Sequence, residues 1–216
     1  MSGASLRDAL GRALERHGLS EAVAPDAHAP LADFAERLLR HGARANLVGI
    51  HDPERLLDEV IVDSLHALPL LEPSGHLVDI GSGAGIPGIV LAIARPQWRV
   101  SSVEPRAKRV AFQQAARRAL GLSNLTIHEA RHESGEPLPL AVEEPVDAAI
   151  TKAVWDTASW LARGLPLVRP GGRVIAYQNG GAPEVARGRL VGSRAYRLAD
   201  GRARCVIAVS EPAEGA

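Results

Sequence analysis

Asp79, Gly81, Gly83 and Gly85 alternate within the run Leu77-Val78-Asp79-Ile80-Gly81-Ser82-Gly83-Ala84-Gly85-Ile86-Pro87-Gly88, which begins as an apolar stretch and ends at the expected start of a helix. Glycines in this spacing let a chain leave a buried strand, turn tightly and bring bare backbone N–H groups to a ligand. That is the chemistry of holding a nucleotide-like molecule. Asp79 refines it, because a carboxylate two residues before the first glycine suits a cationic or amine-bearing ligand and repels a pyrophosphate at short range. Gly83-Ala84-Gly85-Ile86-Pro87-Gly88 also satisfies the dinucleotide pattern G-x-G-x-x-G, so these residues leave NAD open, along with a structural turn that holds no ligand. Glu104, about twenty positions on and following an apolar strand, would accept hydrogen bonds from ribose hydroxyls of either cofactor. It does not separate them.

The elements that must position these residues follow from hydrophobic periodicity. Between Leu6 and Leu71 the pattern is helical, with stripes Leu6, Leu10, Ala13, Leu14 and Leu31, Phe34, Ala35, Leu38, Leu39, and three or four helices are expected. Asp52-Pro53-Glu54-Arg55 has the form of an N-cap followed by proline at the first helical position. From His76 onward strand and helix alternate, which predicts a parallel sheet covered on both faces. Strands are expected at His76–Ile80, Arg99–Val103, Leu125–His128, Val146–Thr151 and Arg173–Tyr177, with helices at Pro87–Ala94, Arg106–Leu120 and Thr157–Gly164. Pro170-Gly171-Gly172 is expected to be a tight turn, and Arg194–Leu198 with Ala203–Val209 a closing antiparallel hairpin through Asp200-Gly201. Ser134 to Pro145 has the composition of a loop and Glu211 to Ala216 that of a frayed tail. The expected organisation is a helical cap over residues 1–72 on an α/β domain over residues 73–216.

Composition bounds the rest. The 216 residues suffice for one α/β domain with an appendage, and 25 basic residues balance 25 acidic ones, which argues against binding nucleic acid by bulk charge while leaving a local basic patch open. The single Cys205 excludes an internal disulfide and a cysteine zinc cluster, and a reducing cytoplasm is the expected setting. There is neither an apolar run long enough to span a membrane nor a signal core after Met1-Ser2-Gly3-Ala4. A monomer is expected.

The order Asp79-x-Gly81-x-Gly83-x-Gly85 resembles the S-adenosylmethionine loop of class I methyltransferases. More specifically, Val78 to Phe112 resembles the small-subunit ribosomal RNA guanine-N7 methyltransferase G family, also called the glucose-inhibited division protein B family. The loop's continuation into Ile86-Pro87-Gly88 carries most of that likeness, joined by Arg95-Pro96, by Lys108-Arg109 with Phe112, and by Ala130-Arg131-His132-Glu133 where the family has Ser-Arg-x-Glu. Upstream, Asn46-Leu47-Val48, His51-Asp52-Pro53 and Asp63-Ser64 are similar to the family's Asn-Leu-Thr and Leu-Asp-Ser segments.

The resemblance implies a class I Rossmann-like α/β fold, S-adenosylmethionine as cofactor with S-adenosylhomocysteine as product, no metal, and a guanine N7 in small-subunit ribosomal RNA as acceptor. It assigns the cofactor to Asp79, Gly81, Ser82, Gly83, Gly85, Glu104, Arg106, Ala130, Arg131, His132 and Lys152. Lys152 also stands as a catalytic candidate for positioning the substrate, and Asn46, Asp63, Trp155, Arg194 and Arg197 as substrate contacts, Trp155 by stacking on a base. Methyl transfer from a sulfonium is an in-line displacement governed by alignment. Guanine N7 carries a lone pair and no proton, so no general base is needed, and Ile150-Thr151-Lys152-Ala153 has none of the Asp/Asn-Pro-Pro-aromatic pattern of exocyclic-amine methyltransferases.

The chain departs from the family where a substrate would sit. His41-Gly42 replaces Trp-Asn, Glu59-Val60 replaces Arg-His and so reverses a charge, Lys152 replaces Arg, and Gln178-Asn179 replaces Lys-Gly. Two alternatives therefore stand beside the ribosomal RNA reading: a relative that methylates a small molecule or free heterocycle, and a non-catalytic cofactor-binding regulator. Arg106, Lys108, Arg109, Arg117 and Arg118 on one helix, and Arg187, Arg189, Arg194, Arg197, Arg202 and Arg204 near the end, form either solvated faces or an RNA-tracking surface.

Overall fold

The computed structural model describes residues 3–45, 47–132, 142, 146–152, 154–180, 185 and 187–211, with backbone alone for 3–4 and 42–45. Its helices are α1 (Gly3–Arg16), α2 (His28–Ala45), α3 (Pro53–Leu56), α4 (Asp63–Leu65), α5 (Gly88–Ala94), α6 (Ala107–Leu120) and α7 (Thr157–Gly164). The strands are β1 (Gly75–Ile80), β2 (Trp98–Glu104), β3 (Leu125–Glu129), β4 (Val146–Thr151), β5 (Val168–Asn179), β6 (Arg189–Arg197) and β7 (Ala203–Ser210). They form one sheet in the order β3-β2-β1-β4-β5-β7-β6. The first five strands pair in parallel, and β7 lies antiparallel between β5 and β6.

Alternation along the strands divides the core in two, as the two-residue period of a strand requires. Leu77, Val100, Ala148, Ile150, Ile175, Val206 and Ala208 face α5 and the N-terminal helices. Val78, Ile80, Val103, Ala149, Val174, Ala176, Ile207 and Val209 face Trp160 and Leu161 of α7. Because strand order runs outward from β1 in both directions, right-handed crossovers put α5 and α6 on one face and α7 on the other. The carboxyl ends of β1 and β4 are left to flank a crevice.

The N-terminal stripes follow the predicted periodicity: Leu6, Leu10, Ala13 and Leu14 of α1 and Leu31, Phe34, Ala35 and Leu38 of α2 are buried, and Leu39 packs half-buried at the edge of the same core. Phe34 reaches Phe112 of α6, with ring centroids 6.4 Å apart, and so ties α2 to the sheet's helices. Asp52 caps α3 by accepting from Arg55 N at 2.8 Å, with Pro53 at the first helical position. The run 53–65 is not one regular α-helix, however, since Leu57–Val62 between α3 and α4 is π-helical.

Pro170-Gly171-Gly172 is a second difference. These residues lie inside β5, where Val146 pairs with Val168 and Ala148 with Arg173, so β5 bulges outward between two pairing positions instead of starting after a turn. The hairpin strand β6 likewise begins at Arg189 rather than Arg194. Residues 134–141 and 143–145 of the expected loop, and 212–216 of the expected tail, lie outside the described residues.

Candidate functional site

The glycine loop leaves β1 through three left-handed backbone positions, Gly81 (φ +70°), Gly83 (φ +59°) and Gly85 (φ +87°). Side chains rarely adopt that conformation, which explains the alternation of glycine. Gly81 N and Ser82 N both donate to Val103 O at 2.9 and 3.1 Å, so the end of β2 anchors the turn. Ser82 O then accepts from Gly85 N and Ile86 N and directs the chain into α5. Gly88 is restricted by contact, since a Cβ there would lie 2.7 Å from Asp79 Oδ2.

That contact is functional in form. Gly88 N donates to Asp79 Oδ2 at 2.8 Å, while Asp79 Oδ1 is buried with no hydrogen-bond partner among the described residues. Burial pushes the Asp79 carboxyl up to about 7, against the Gly88 hydrogen bond and with help from the negative charge of Glu104. An orphaned, fully buried carboxylate oxygen beside a ligand loop is what an incoming amine cation would satisfy. Glu104, also buried at the end of β2, accepts from Gly83 N at 2.8 Å and Arg106 N at 3.0 Å, with Arg109 Nη1 at 4.0 Å. Asp79, Gly81–Gly85 and Glu104 thus meet at the carboxyl ends of adjacent parallel strands, where open α/β sheets bind ligands.

Ala130, Arg131 and His132 follow β3 on the same rim; Ala130 N donates to Glu104 O, Arg131 is exposed and His132 is buried. The backbone N–H of Arg106 serves Glu104 while its side chain is exposed. Lys152 follows β4, but its ammonium points to the N-terminal helices: Nζ lies 2.6 Å from Asp63 Oδ2, 3.2 Å from Glu59 O and 3.5 Å from Ser64 Oγ. Asp63 also accepts from Tyr196 Oη at 2.5 Å and faces Arg204 Nε at 3.3 Å. Burial works to raise the Asp63 pKa, yet the charges of Lys152 and Arg204 and the hydrogen bonds from Lys152 and Tyr196 hold it below the usual carboxylate range. Trp155, half-buried beyond Lys152, stacks on Trp160 with centroids 5.8 Å apart and planes 4° from parallel, and Arg163 lies 5.1 Å from its ring.

Of the remaining expected substrate contacts, Arg194 and Arg197 are not brought together. Arg194 is spent on the N-terminal helices, with Nε donating to His66 Nδ1 at 2.9 Å and Nη2 to the carbonyls of His17 and Gly18 at 2.7 and 3.1 Å. A guanidinium only donates, so His66 Nδ1 is an acceptor, its Nε2–H donates to His17 Nδ1, and His17 Nε2–H in turn donates to Asp58 Oδ1. Burial, with the neighbouring Arg194 charge, lowers the His66 pKa to about 3, which keeps it neutral in this chain. Arg194→Ala is therefore expected to destabilise the fold by about 2 kcal/mol, the scale of a lost charged hydrogen bond, and to lower the melting temperature by ~4–8 °C. A thermal melt checks this; an unchanged melt would return Arg194 to the solvent-facing set.

Arg197 is exposed and donates to Gly201 O, and Asn46 lies outside the described residues. The altered positions have local partners. Glu59 pairs with Arg55 and Arg202, Val60 is buried, Gln178 Nε2 donates to Thr157 Oγ1, Asn179 accepts from Arg204, and His41 meets the edge of Phe112. The charge reversal at Glu59 is thus matched by arginines of the same chain.

Residues 27–186 match the family model described as rRNA small subunit methyltransferase G. The chain is 36% identical over 194 residues to the ribosomal RNA small subunit methyltransferase G of Anaeromyxobacter sp. (strain Fw109-5), covering 89% of this chain and 87% of that protein. It is 35% identical over 219 residues to the protein of the same name from Myxococcus xanthus, covering 97% and 98%. Among solved structures, an O-methyltransferase from Bacillus cereus in complex with SAH aligns with a TM-score of 0.55 at 17% identity, over 82% of this chain and 90% of that one, a likeness of fold. With its glycine loop, its acidic pair and relatives matched over nearly their whole length, the chain belongs to the rRNA small subunit methyltransferase G family.

Proposed function

We propose that this protein transfers a methyl group from S-adenosylmethionine to guanine N7 in small-subunit ribosomal RNA, with Asp79, the glycine loop and Glu104 holding the cofactor. The observation that carries the reading is the orphaned Asp79 Oδ1 beside a loop with three left-handed glycines, in a chain of this family. A dinucleotide's pyrophosphate would place like charge near that carboxylate. When bound, S-adenosylmethionine supplies an electrophilic methyl group on a sulfonium. The work left to the chain is to align acceptor and methyl and to exclude competing nucleophiles. No proton leaves guanine N7, so neither Asp79 nor Glu104 is required as a base.

Residues 1–72 act as a cap in this reading, joined to the site through Asp63 and Lys152. Trp155, beside the exposed Val154 and the Arg163 guanidinium, is the surface on which a base would stack. Exposed Arg106 and Lys108 at the start of α6 lie next to Glu104 and suit a nearby phosphate. Trp155→Ala is expected to cost about 1–3 kcal/mol of RNA binding, seen as a raised KM for small subunits with cofactor affinity unchanged. An unaltered KM would remove Trp155 from the site. The described residues contain no helix long and apolar enough to cross a membrane, and we place the reaction in the bacterial cytoplasm, where the RNA is made.

The deciding experiment is nucleoside mass spectrometry of small-subunit ribosomal RNA from a deletion strain, with and without this chain restored. The expected result is a 7-methylguanosine signal that disappears and returns, together with binding that weakens steeply as salt rises through counterion release. Methyl transfer to a free small molecule, with none to naked RNA or small subunits at low salt, would overturn the RNA assignment.

A further inference from the structure

Gln113 has no solvent exposure, although it is a polar residue in the middle of α6 and lies on the same stripe as buried Val110 and Ala116. Its Nε2 donates to Ser82 Oγ and to Gly83 O, each at 2.8 Å, and its Oε1 accepts from Ser102 Oγ at 2.7 Å. The amide orientation is forced, because a backbone carbonyl can only accept. Both N–H donors therefore end on the glycine loop and the oxygen ends on β2. An apolar side chain would fill such a position with no polar group to satisfy, so a buried amide whose two donors are both directed at one loop, with its oxygen held by β2, reports on the shape of that loop.

We propose that Gln113 is a positioning residue for the cofactor, acting through the Gly83–Ala84 peptide; the inference rests on the S-adenosylmethionine reading above. A trans peptide is planar, with carbonyl and N–H opposed. Drawing Gly83 O toward α6 turns Ala84 N–H away from α6. Gly83 N–H meanwhile stays on Glu104 Oε2 at 2.8 Å. One side chain thus sets the relation between the loop amides and the carboxylate that would meet the ribose. Arg109, one helical turn earlier on α6, approaches the same glycine: a Cβ on Gly83 would sit 3.5 Å from its Nη1. The face of α6 carrying both residues is a clamp on the loop.

The test is calorimetric titration of the full chain with S-adenosylmethionine and S-adenosylhomocysteine, alongside thermal melts. Gln113→Leu is expected to weaken binding about tenfold, the scale of one or two lost hydrogen bonds. Ser102→Ala, which removes only the bond behind the amide, is expected to weaken it about two- to threefold. Gln113→Glu adds a signature that packing alone would not give. Ionised, its carboxylate faces Gly83 O and binding is weak; protonated, it donates to Gly83 O, so the ratio of variant to wild-type affinity recovers on acidification. Folded Gln113→Leu and Ser102→Ala proteins that bind like wild type, or a Gln113→Glu ratio that does not move with pH, would overturn the proposal. If Gln113→Leu does not fold, the Gln113→Glu profile and Ser102→Ala decide. Failure of the wild-type chain itself to bind S-adenosylmethionine would instead overturn the functional reading.

Discussion

Asp79→Asn is expected to weaken S-adenosylmethionine binding about 30-fold or more, the cost of removing one partner from a buried, hydrogen-bonded charge pair, while flattening the pH dependence of the ligand-free protein's stability. The sign follows from where the proton sits. In the ligand-free fold burial raises the Asp79 pKa from 3.8 to about 7, so between those values the native state holds a proton that the unfolded chain has released. The contribution to stability is full below 3.8 and is lost as pH rises to about 7. Asparagine has no proton to release, and its melting temperature should not show this decline. Cofactor binding has the opposite slope. An amine cation at the orphaned Oδ1 favours the ionised form, so affinity should rise with pH up to about 7 and then level, with proton release on binding below that point. Calorimetry in buffers of different ionisation enthalpy measures that release directly. Binding that is independent of pH, with no proton released, would remove Asp79 from the amine site.

Such a coupling was legible in part from the residues alone. The alternation of Asp79 with three glycines encodes a backbone that must be left-handed at Gly81, Gly83 and Gly85, and few other arrangements demand that pattern. Glu104 was legible because an apolar strand ended on a carboxylate at the distance a βαβ unit requires. What was not legible lies where two distant segments share a buried polar contact. Gln113 reads locally as one more solvated helix position, and only its register with Val110 and Ala116 hints that it faces inward. The Asp58–His17–His66 chain joins segments separated by 41 and 49 residues and ends on Arg194, whose charge suggested a free cation in the sequence. Pro170-Gly171-Gly172 has turn chemistry, but the pairing of β4 with both Val168 and Arg173 absorbs it as a bulge. Local propensity yields to tertiary pairing in each of these cases.

Asp63→Asn and Lys152→Met are expected to differ sharply although they remove two halves of one ion pair. Asp63 is a single buried carboxylate between two cations, with Lys152 Nζ at 2.6 Å, Arg204 Nε at 3.3 Å and the Tyr196 hydroxyl at 2.5 Å. Removing it leaves Lys152 and Arg204 without their counter-charge, at a cost of about 3–5 kcal/mol for a broken buried pair. The corresponding fall in melting temperature is ~6–20 °C for a chain of this size. Removing Lys152 leaves Asp63 with Arg204 and Tyr196, so the cost should be well below that of Asp63→Asn. The double variant should be less destabilised than the two single costs added together, because neither residue then has that partner to lose. Acid should act on the wild type as it acts on this pair: the depressed Asp63 pKa contributes stability that is present above 3.8 and lost as pH falls through its folded value. For function the same geometry separates two roles. Lys152 directs its ammonium at Asp63, Glu59 O and Ser64 Oγ, all in the N-terminal helices, so Lys152→Met should leave cofactor affinity near wild type while lowering methylation by loosening the cap we propose for residues 1–72. A large loss of cofactor affinity in Lys152→Met would show that the lysine serves the cofactor directly, and equal destabilisation by both single variants would show that Arg204 and Tyr196 do not sustain Asp63 once Lys152 is gone.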